Sequence, residues 1–413
     1  MTSNIRVLLR RLGKKVWARA ALVTAVSIVF VLAAGWVGTL FPFMLVIDLG
    51  QDSVGSILQI IATSMLAVTT FSITAMVTAY SSATTTATPR ATQLLVEDPT
   101  SQNALSTFVG GFTFSLVGII ALSTGYYGDQ GRTILFLGTL IMVAIIVVTL
   151  LRWIAHLSTF GRMADIIDRV EAAASTTLNA YAASPSLGAR TSDSKEIIGE
   201  SVPSHESGYV TFVDVAALER IASRLDCDIH VLALAGRYAD TMSPLAVIRS
   251  ATALDSETRK AVVGTFRIEA HRTYEQDPRL GMIALAEIGS RALSPSTNDP
   301  GTAIEILSVL QRILSKALQT DPDAAVKYPH IWIRPVALSD LIVDAFRPIS
   351  RDGAGIIEVQ IRLQKCLASL AATAPQHAHL FAMAADRAHS QTLHALSDEE
   401  RRELDGLRRT LWH

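Results

Sequence analysis

Four stretches in the first third of the chain hold apolar and small residues and no charged side chain: residues 20–47, 53–89, 99–128 and 133–151. About 20 apolar residues cross the hydrocarbon core of a bilayer, and a charge at its centre costs roughly 3 kcal/mol or more. The pattern therefore predicts four transmembrane helices. From Arg152 onward charged residues return and the apolar positions become periodic. Trp153, Ile154, Leu157, Phe160, Met163, Ile167 and Val170 recur at three- and four-residue steps, which predicts that the fourth helix continues as an amphipathic stalk.

Residues 181–208 are rich in Ala, Ser, Pro and Gly and read as a linker or long loop. Alternation over 208–213 then predicts a strand, with Asp214 capping a helix through Leu225. Residues 228–233 and 245–248 read as further strands on either side of a turn at Gly236. Beyond this the pattern is helical. Asp255 or Ser256 caps a helix running towards Tyr274, Pro278 begins another, and Asp299 with Pro300 starts a third through Leu318. Residues 338–346 and 356–372 are amphipathic, and Ser397 with Glu400 forms a capping box before Leu404, Leu407 and Leu411. The expected fold is an α-helical membrane protein, four transmembrane helices followed by a mainly α cytosolic domain with a small α/β subdomain. Its parts are a basic N-terminus (1–19), a transmembrane domain (20–153), a stalk and linker (154–207), the α/β subdomain (208–250) and a helical domain (251–413).

Charge adds orientation. Arg6, Arg10, Arg11, Lys14, Lys15 and Arg19 precede the first helix. The first external loop carries Asp48 and Asp52 without Lys or Arg, the second has Arg132 as its one basic residue, and Arg152, Arg162 and Arg169 follow the fourth helix. By the positive-inside rule both termini are expected in the cytosol. The internal loop adds little, with Arg90 against Glu97 and Asp98. Ala33-Ala34-Gly35 resembles a signal cleavage site, but the apolar run continues to Ile47, too long for a signal h-region, so the helix reads as uncleaved. Over 413 residues, 36 basic and 37 acidic side chains nearly cancel, so no global field recruits nucleic acid. Cys227 and Cys366 fit a reducing compartment and no disulfide framework.

Two polar patterns carry candidate chemistry. On the second span Thr70, Thr74, Thr78 and Ser82 recur every four residues, with Thr63 and Ser64 two turns earlier, so their hydroxyls share a helix face. That face reads either as pore-lining or as a helix-packing surface; Gly110, Gly111, Ser115 and Gly118 on the third span supply a second small-residue face. No Asp, Glu, Lys, Arg or His lies inside the spans, which argues against a proton relay or a carboxylate-coupled pump. The second pattern is the run 272–277, followed by Gly281 and the run 291–300. Helical spacing sets Glu269, Arg272 and Gln276 on one face and pairs Glu287 with Arg291. Arg272, Gln276, Asp277, Arg291, Ser294, Asn298 and Asp299 are the candidate ligand-binding residues, because arginines beside free backbone N–H groups hold a phosphate or carboxylate. The alternative is structural, with Asp299 satisfying those N–H groups and Arg–acid pairs locking two helices.

These residues also resemble a family. Arg272-Thr-x-x-Gln276-Asp277 and Arg291-Ala-Leu-Ser-Pro-Ser-Thr-Asn-Asp-Pro300 are similar to the bacterial predicted membrane proteins grouped as DUF2254. Thr70-Phe71-Ser72, Pro89-Arg90, Glu97-Asp98 and Gly110-Gly111-Phe112 resemble that family's second and third helices. The segment from Gly236 to Leu245 departs from the pattern, where relatives carry a Gly-Asp-Phe-Val turn and another Gly. The resemblance implies a bacterial inner-membrane protein and no particular reaction.

Enzyme signatures are absent: no phosphate-binding glycine loop, H-E-x-x-H, G-x-S-x-G or paired C-x-x-C occurs. His377-x-His379 with His389 and His394 has loose metal-ligand spacing in a polar, Ala-rich region and reads as solvated surface. His271 lacks a nearby nucleophile, and Asp398-Glu399-Glu400-Arg401-Arg402 reads as a charged helix face. The expectation is a non-enzymatic protein with no cofactor or metal. Its expected role is an oligomeric channel or transport protein gated by the cytosolic domain, or else a membrane-anchored sensor or scaffold for an anionic ligand or cytosolic protein. Its partners would be the bilayer and further copies of itself.

Overall fold

The computed structural model describes residues 16–40, 51–96, 98–192, 197–251 and 253–412. Arg6, Arg10, Arg11, Lys14, Lys15, Asp48 and Glu97, on which the expected orientation partly rests, lie outside the described residues. The chain divides into two compact units, Met1–Ile166 and Ile167–His413.

The first unit contains α1 (Val16–Leu40), α2 (Gln51–Thr86), α3 (Pro89–Val96), α4 (Pro99–Ser123) and α5 (Asp129–Leu157). Four of these, all but α3, are long and apolar enough to cross a membrane. At 36 residues α2 is roughly 54 Å long, well beyond the hydrocarbon thickness. The candidate span of α4 is 50% buried, against 17–22% for the others, so α4 is the central helix. Its glycines allow this. Gly110 faces Val23 of α1, Gly111 faces Met65 of α2 and Ile146 of α5, and Gly118 faces Leu58 of α2. Small residues let membrane helices approach without a hydrophobic driving force. Asp98 caps α4 by accepting from the Ser101 N–H at 2.7 Å, and His156 of α5 reaches the same carboxylate at 3.0 Å.

The expected continuous stalk is broken. The helix of α5 ends at Leu157, and α6 (Met163–Ala183) starts after a turn at Gly161, whose φ of +77° no helix accommodates. A Cβ there would also come within 2.9 Å of the Ala79 side chain, so glycine is required twice over.

The second unit combines two sheets with a layer of helices. A five-stranded sheet has the order β1-β8-β4-β6-β2, from β1 (Ala189–Thr191), β8 (Tyr328–Ile333), β4 (Asp228–Val231), β6 (Pro244–Arg249) and β2 (Glu200–Pro203). The pairs β1/β8 and β8/β4 are parallel, and β4/β6 and β6/β2 antiparallel. A smaller antiparallel sheet has the order β5-β3-β7, from β5 (Tyr238–Ala239), β3 (Gly208–Val213) and β7 (Phe266–Glu269). Val202, Val210, Leu218, Ile229, Ile248, Phe266 and Ile331 form one core shared by both sheets and by α7 (Val215–Leu225) and α8 (Ser256–Val263). The rest is helical: α9 (Pro278–Ala292), α10 (Pro300–Leu318), α11 (Leu338–Asp352), α12 (Ile357–Thr373), α13 (Ala378–Thr392) and α14 (Asp398–Leu411).

Local chemistry sets the helix starts. Asp214, Asp255, Asp277, Asp299 and Ser397 each accept a hydrogen bond from a first-turn N–H. The sheet differs from the sequence expectation in three places. Strands β1 and β2 lie in the stretch read as stalk and linker, and β8 lies in the stretch read as helical. The helix expected to reach Tyr274 stops at Val263, because residues 266–269 pair with the edge of β3. Glu269, Arg272 and Gln276 therefore share no helix face.

Candidate functional site

A cleft of about 620 Å³ opens in the second unit where β4 and β8 end. These are parallel neighbours, and in open α/β sheets ligands bind outside the carboxyl ends of such strands. The turn after β4 supplies Leu232, Gly236 and Arg237; the turn after β8 supplies Arg334, Pro335 and Ala337; Arg272 and Arg279 come from the approach to α9 and its first turn.

Four guanidinium groups thus face one space, and they are held differently. Arg272 donates from Nε to Asp277 at 2.7 Å, and that carboxylate is 1% exposed. Asp277 also caps α9, accepting the Arg279 N–H at 3.0 Å. Arg279 forms a two-pronged pair with Asp344 at 2.6 and 3.0 Å, which raises its pKa above the ordinary arginine value, and Asp340 lies 3.9 Å away. Arg237 donates to the Leu232 carbonyl at 2.8 Å, stapling its own turn. Neither Arg237 nor Arg334 has a carboxylate partner among the described residues, and both are exposed. Helix α11 begins at this cleft with Ala337 as its N-cap, and no side chain caps it. Its first N–H groups and the spare guanidinium donors are the groups that bind anions.

Beside the arginines one row of side chains crosses the five-stranded sheet. The register aligns Arg190, Trp332, His230 and Val247. Side chains alternate across a strand, so Ile229, Val231, Ile331 and Ile333 point into the core while this row lies on the opposite face. The Arg190 guanidinium sits 5.3 Å from the Trp332 ring centre, and the His230 ring stacks on Trp332 at 5.6 Å and 14°. Burial pushes the His230 pKa down, and Arg249 nearby adds to this, so the imidazole is neutral at physiological pH.

The sequence candidates divide between this site and other places. Arg272 lines the cleft and Asp277 holds it. Gln276 lies next to them but clasps the end of β3, accepting the Val213 N–H at 2.8 Å and donating to its carbonyl at 3.3 Å. Arg291, Ser294, Asn298 and Asp299 are at the far end of the 15-residue α9, roughly 20 Å from its start. There Asn298 adopts φ +48°, and Asp299 caps α10 through the Thr302 N–H at 3.1 Å and hydroxyl at 2.6 Å, which holds its carboxyl below the usual range. Ser294 contacts Thr297 at 3.2 Å within the same turn. The two polar runs therefore form two separate structures. Thr70, Thr74, Thr78 and Ser82 all face outward from the first unit, while α2 turns Leu58, Met65, Ser72 and Met76 inward. The three threonine hydroxyls donate to the carbonyls of Leu66, Thr70 and Thr74 at 2.9–3.0 Å. His389 pairs with Asp405 at 3.2 Å.

Sequence reasoning missed Arg237, Arg279, Arg334, His230 and Trp332. The available signal was the pairing of a short apolar strand with Gly236-Arg237 after β4 and with Arg334-Pro335 after β8, and β8 was not recognised as a strand.

No solved structure matches this chain. Uncharacterized proteins of Mycobacterium bovis and Mycobacterium tuberculosis are each 26% identical to it over 246 residues, 56% of this chain and 47% of theirs, so the match spans about half the length of those relatives. The family model described as "Predicted membrane protein (DUF2254)" matches residues 13–369. Four helices apolar enough to cross a membrane and a match over most of the chain agree, and the protein belongs to the DUF2254 family of membrane proteins.

Proposed function

We propose that this is a membrane-anchored binding protein whose second unit holds an anionic ligand, a phosphate or carboxylate, in the arginine-lined cleft. The four apolar helices serve as the anchor in a bacterial inner membrane, with both termini and the second unit in the cytosol. The observation that carries the reading is the convergence of Arg237, Arg272, Arg279 and Arg334 with the uncapped start of α11. Guanidinium groups stay charged at every physiological pH and present forked donors that match phosphate and carboxylate oxygens. They hold charge and do not shuttle protons, which favours binding over reaction. The test is calorimetric titration of the detergent-purified protein with inorganic phosphate, pyrophosphate and citrate. Saturable binding that Arg237→Ala with Arg334→Ala abolishes supports the proposal; heats no different from buffer dilution refute it.

Transport through an oligomer ranks second. Its support is the outward hydroxyl face of α2, which several copies together would turn towards an axis. Those hydroxyl protons are already donated to the helix's own carbonyls, so the face offers a permeating ion only oxygen lone pairs. Flux through reconstituted vesicles that persists unchanged in Thr74→Leu and Thr78→Leu would sink this reading.

A further inference from the structure

The arginine cleft shares a wall with a second cavity of about 570 Å³: His230 and Ile197 line both. His230 is 8% exposed, and its Nδ1 has no hydrogen-bond partner among the described residues. Leaving a buried polar nitrogen unpaired costs free energy, and such groups in native proteins usually mark a missing partner. A bare inorganic anion among the arginines uses a small part of the first cavity and none of the second.

The second cavity has its own chemistry. Its charged groups are already engaged, Arg249 with Asp228 at 2.5 Å and Glu200 with Arg259. The rest of the lining is uncharged, mostly apolar with Ile197, Ile198, Ile248, Ala251 and Ala253, and with Ser250 as its hydroxyl. Such a space takes an uncharged body with little need of new ion pairs. A neutral imidazole offers one N–H and one lone pair, which suits a ring edge that both donates and accepts.

Resting on the anion-binding reading above, we infer that the ligand is an organic phosphate of the nucleotide class. Its phosphate lies among Arg272, Arg279 and Arg334, and its uncharged heterocyclic body passes His230 into the second cavity. Binding is non-covalent, and His230 sets specificity for the body while the arginines set it for charge.

The test titrates the full-length protein in detergent with inorganic phosphate, AMP and UMP. The expected result is that at least one nucleoside monophosphate binds about tenfold or more tighter than phosphate. His230→Ala removes most of that advantage. Ala251→Phe, at an exposed position that fills the second cavity without touching the core, does the same. Phosphate binding that survives Ala251→Phe, whose position lines the second cavity alone, shows that the anion site itself is intact. Equal affinity for phosphate and both nucleotides overturns this inference and leaves the anion-binding reading standing. Nucleotide affinity that survives both substitutions also overturns it. Absence of binding by all three ligands overturns both.

Discussion

Gly236 has no room for a side chain because Asp277 lies beneath it: a Cβ there would be 2.5 Å from Asp277 Oδ2 and 2.8 Å from Arg272 Nη2. Its φ of +94° is also one that L-residues rarely adopt. The turn after β4 is thus fitted onto the ion pair that positions Arg272. Gly236→Ala should cost about 1–3 kcal/mol in backbone strain, with a further loss as the pair is displaced. Thermal unfolding of the purified variant checks this, and an unchanged midpoint would mean that the turn relaxes freely.

Arg272 and Arg334 line one cleft, yet their removal should differ in kind. Arg272→Ala leaves the Asp277 carboxylate buried without its cation, a loss of roughly 3–5 kcal/mol. Arg334 is exposed, so Arg334→Ala should change stability by less than about 0.5 kcal/mol. The same substitution should weaken phosphate binding about tenfold, the worth of a hydrogen bond to a charged group. Paired melting and titration of the two variants separates the roles. Equal destabilisation by both would contradict the assigned geometry.

The membrane helices were readable because each is a local property of the sequence: twenty or more apolar residues need no partner to declare themselves. The caps at Asp214, Asp299 and Ser397 were readable for the same reason, since each bonds within its own first turn. The site was not. Its arginines come from positions 237, 272, 279 and 334, and long-range packing brings them together: β8 pairs with β4, and the Gly236 turn sits on the Arg272–Asp277 pair. Strand β8 carries Pro329 and His330 where a strand pattern expects alternation, so no periodicity announces it. The run from Glu269 to Gln276 misled for the opposite reason: its spacing suits a helix, but long-range pairing with β3 takes residues 266–269 first.

The threonine face of α2 should be nearly inert energetically within one chain. Each of Thr70, Thr74 and Thr78 keeps its hydroxyl bond inside its own helix and is exposed. Thr74→Val and Thr78→Val are expected to shift stability in detergent by no more than about 0.5 kcal/mol. A larger loss, measured by thermal unfolding, would reveal a packing partner for this face.

Gly281 is where α9 meets α6 at backbone distance. A Cβ on Gly281 would lie 2.8 Å from the Cα of Ala174, so relief requires moving a helix and not rotating a side chain. Gly281→Ala normally favours a helix by about 1 kcal/mol. Here it should instead destabilise by about 1–3 kcal/mol, the usual cost of overpacking a close contact. The sign of the change, read from denaturant unfolding, decides between them.

Stability should fall on mild acidification, and His230 gives the sign. Burial and Arg249 lower its folded pKa below the ordinary value of 6.5, so the unfolded chain binds the proton more readily. Above that value both states are neutral and His230 contributes no pH dependence. As pH drops through it the unfolded state gains a proton that the folded state refuses, and stability declines until the folded pKa is reached. His389 is shifted the same way, by burial and then by Arg408, so it adds a parallel slope. Melting midpoints between pH 7 and pH 5 should therefore decline in the natural protein, decline less in His230→Gln, and less again when His389→Gln is added. A His230→Gln profile that superimposes on the natural one would mean that the His230 imidazole titrates equally in both states, and that its burial against Trp332 does not exclude the proton.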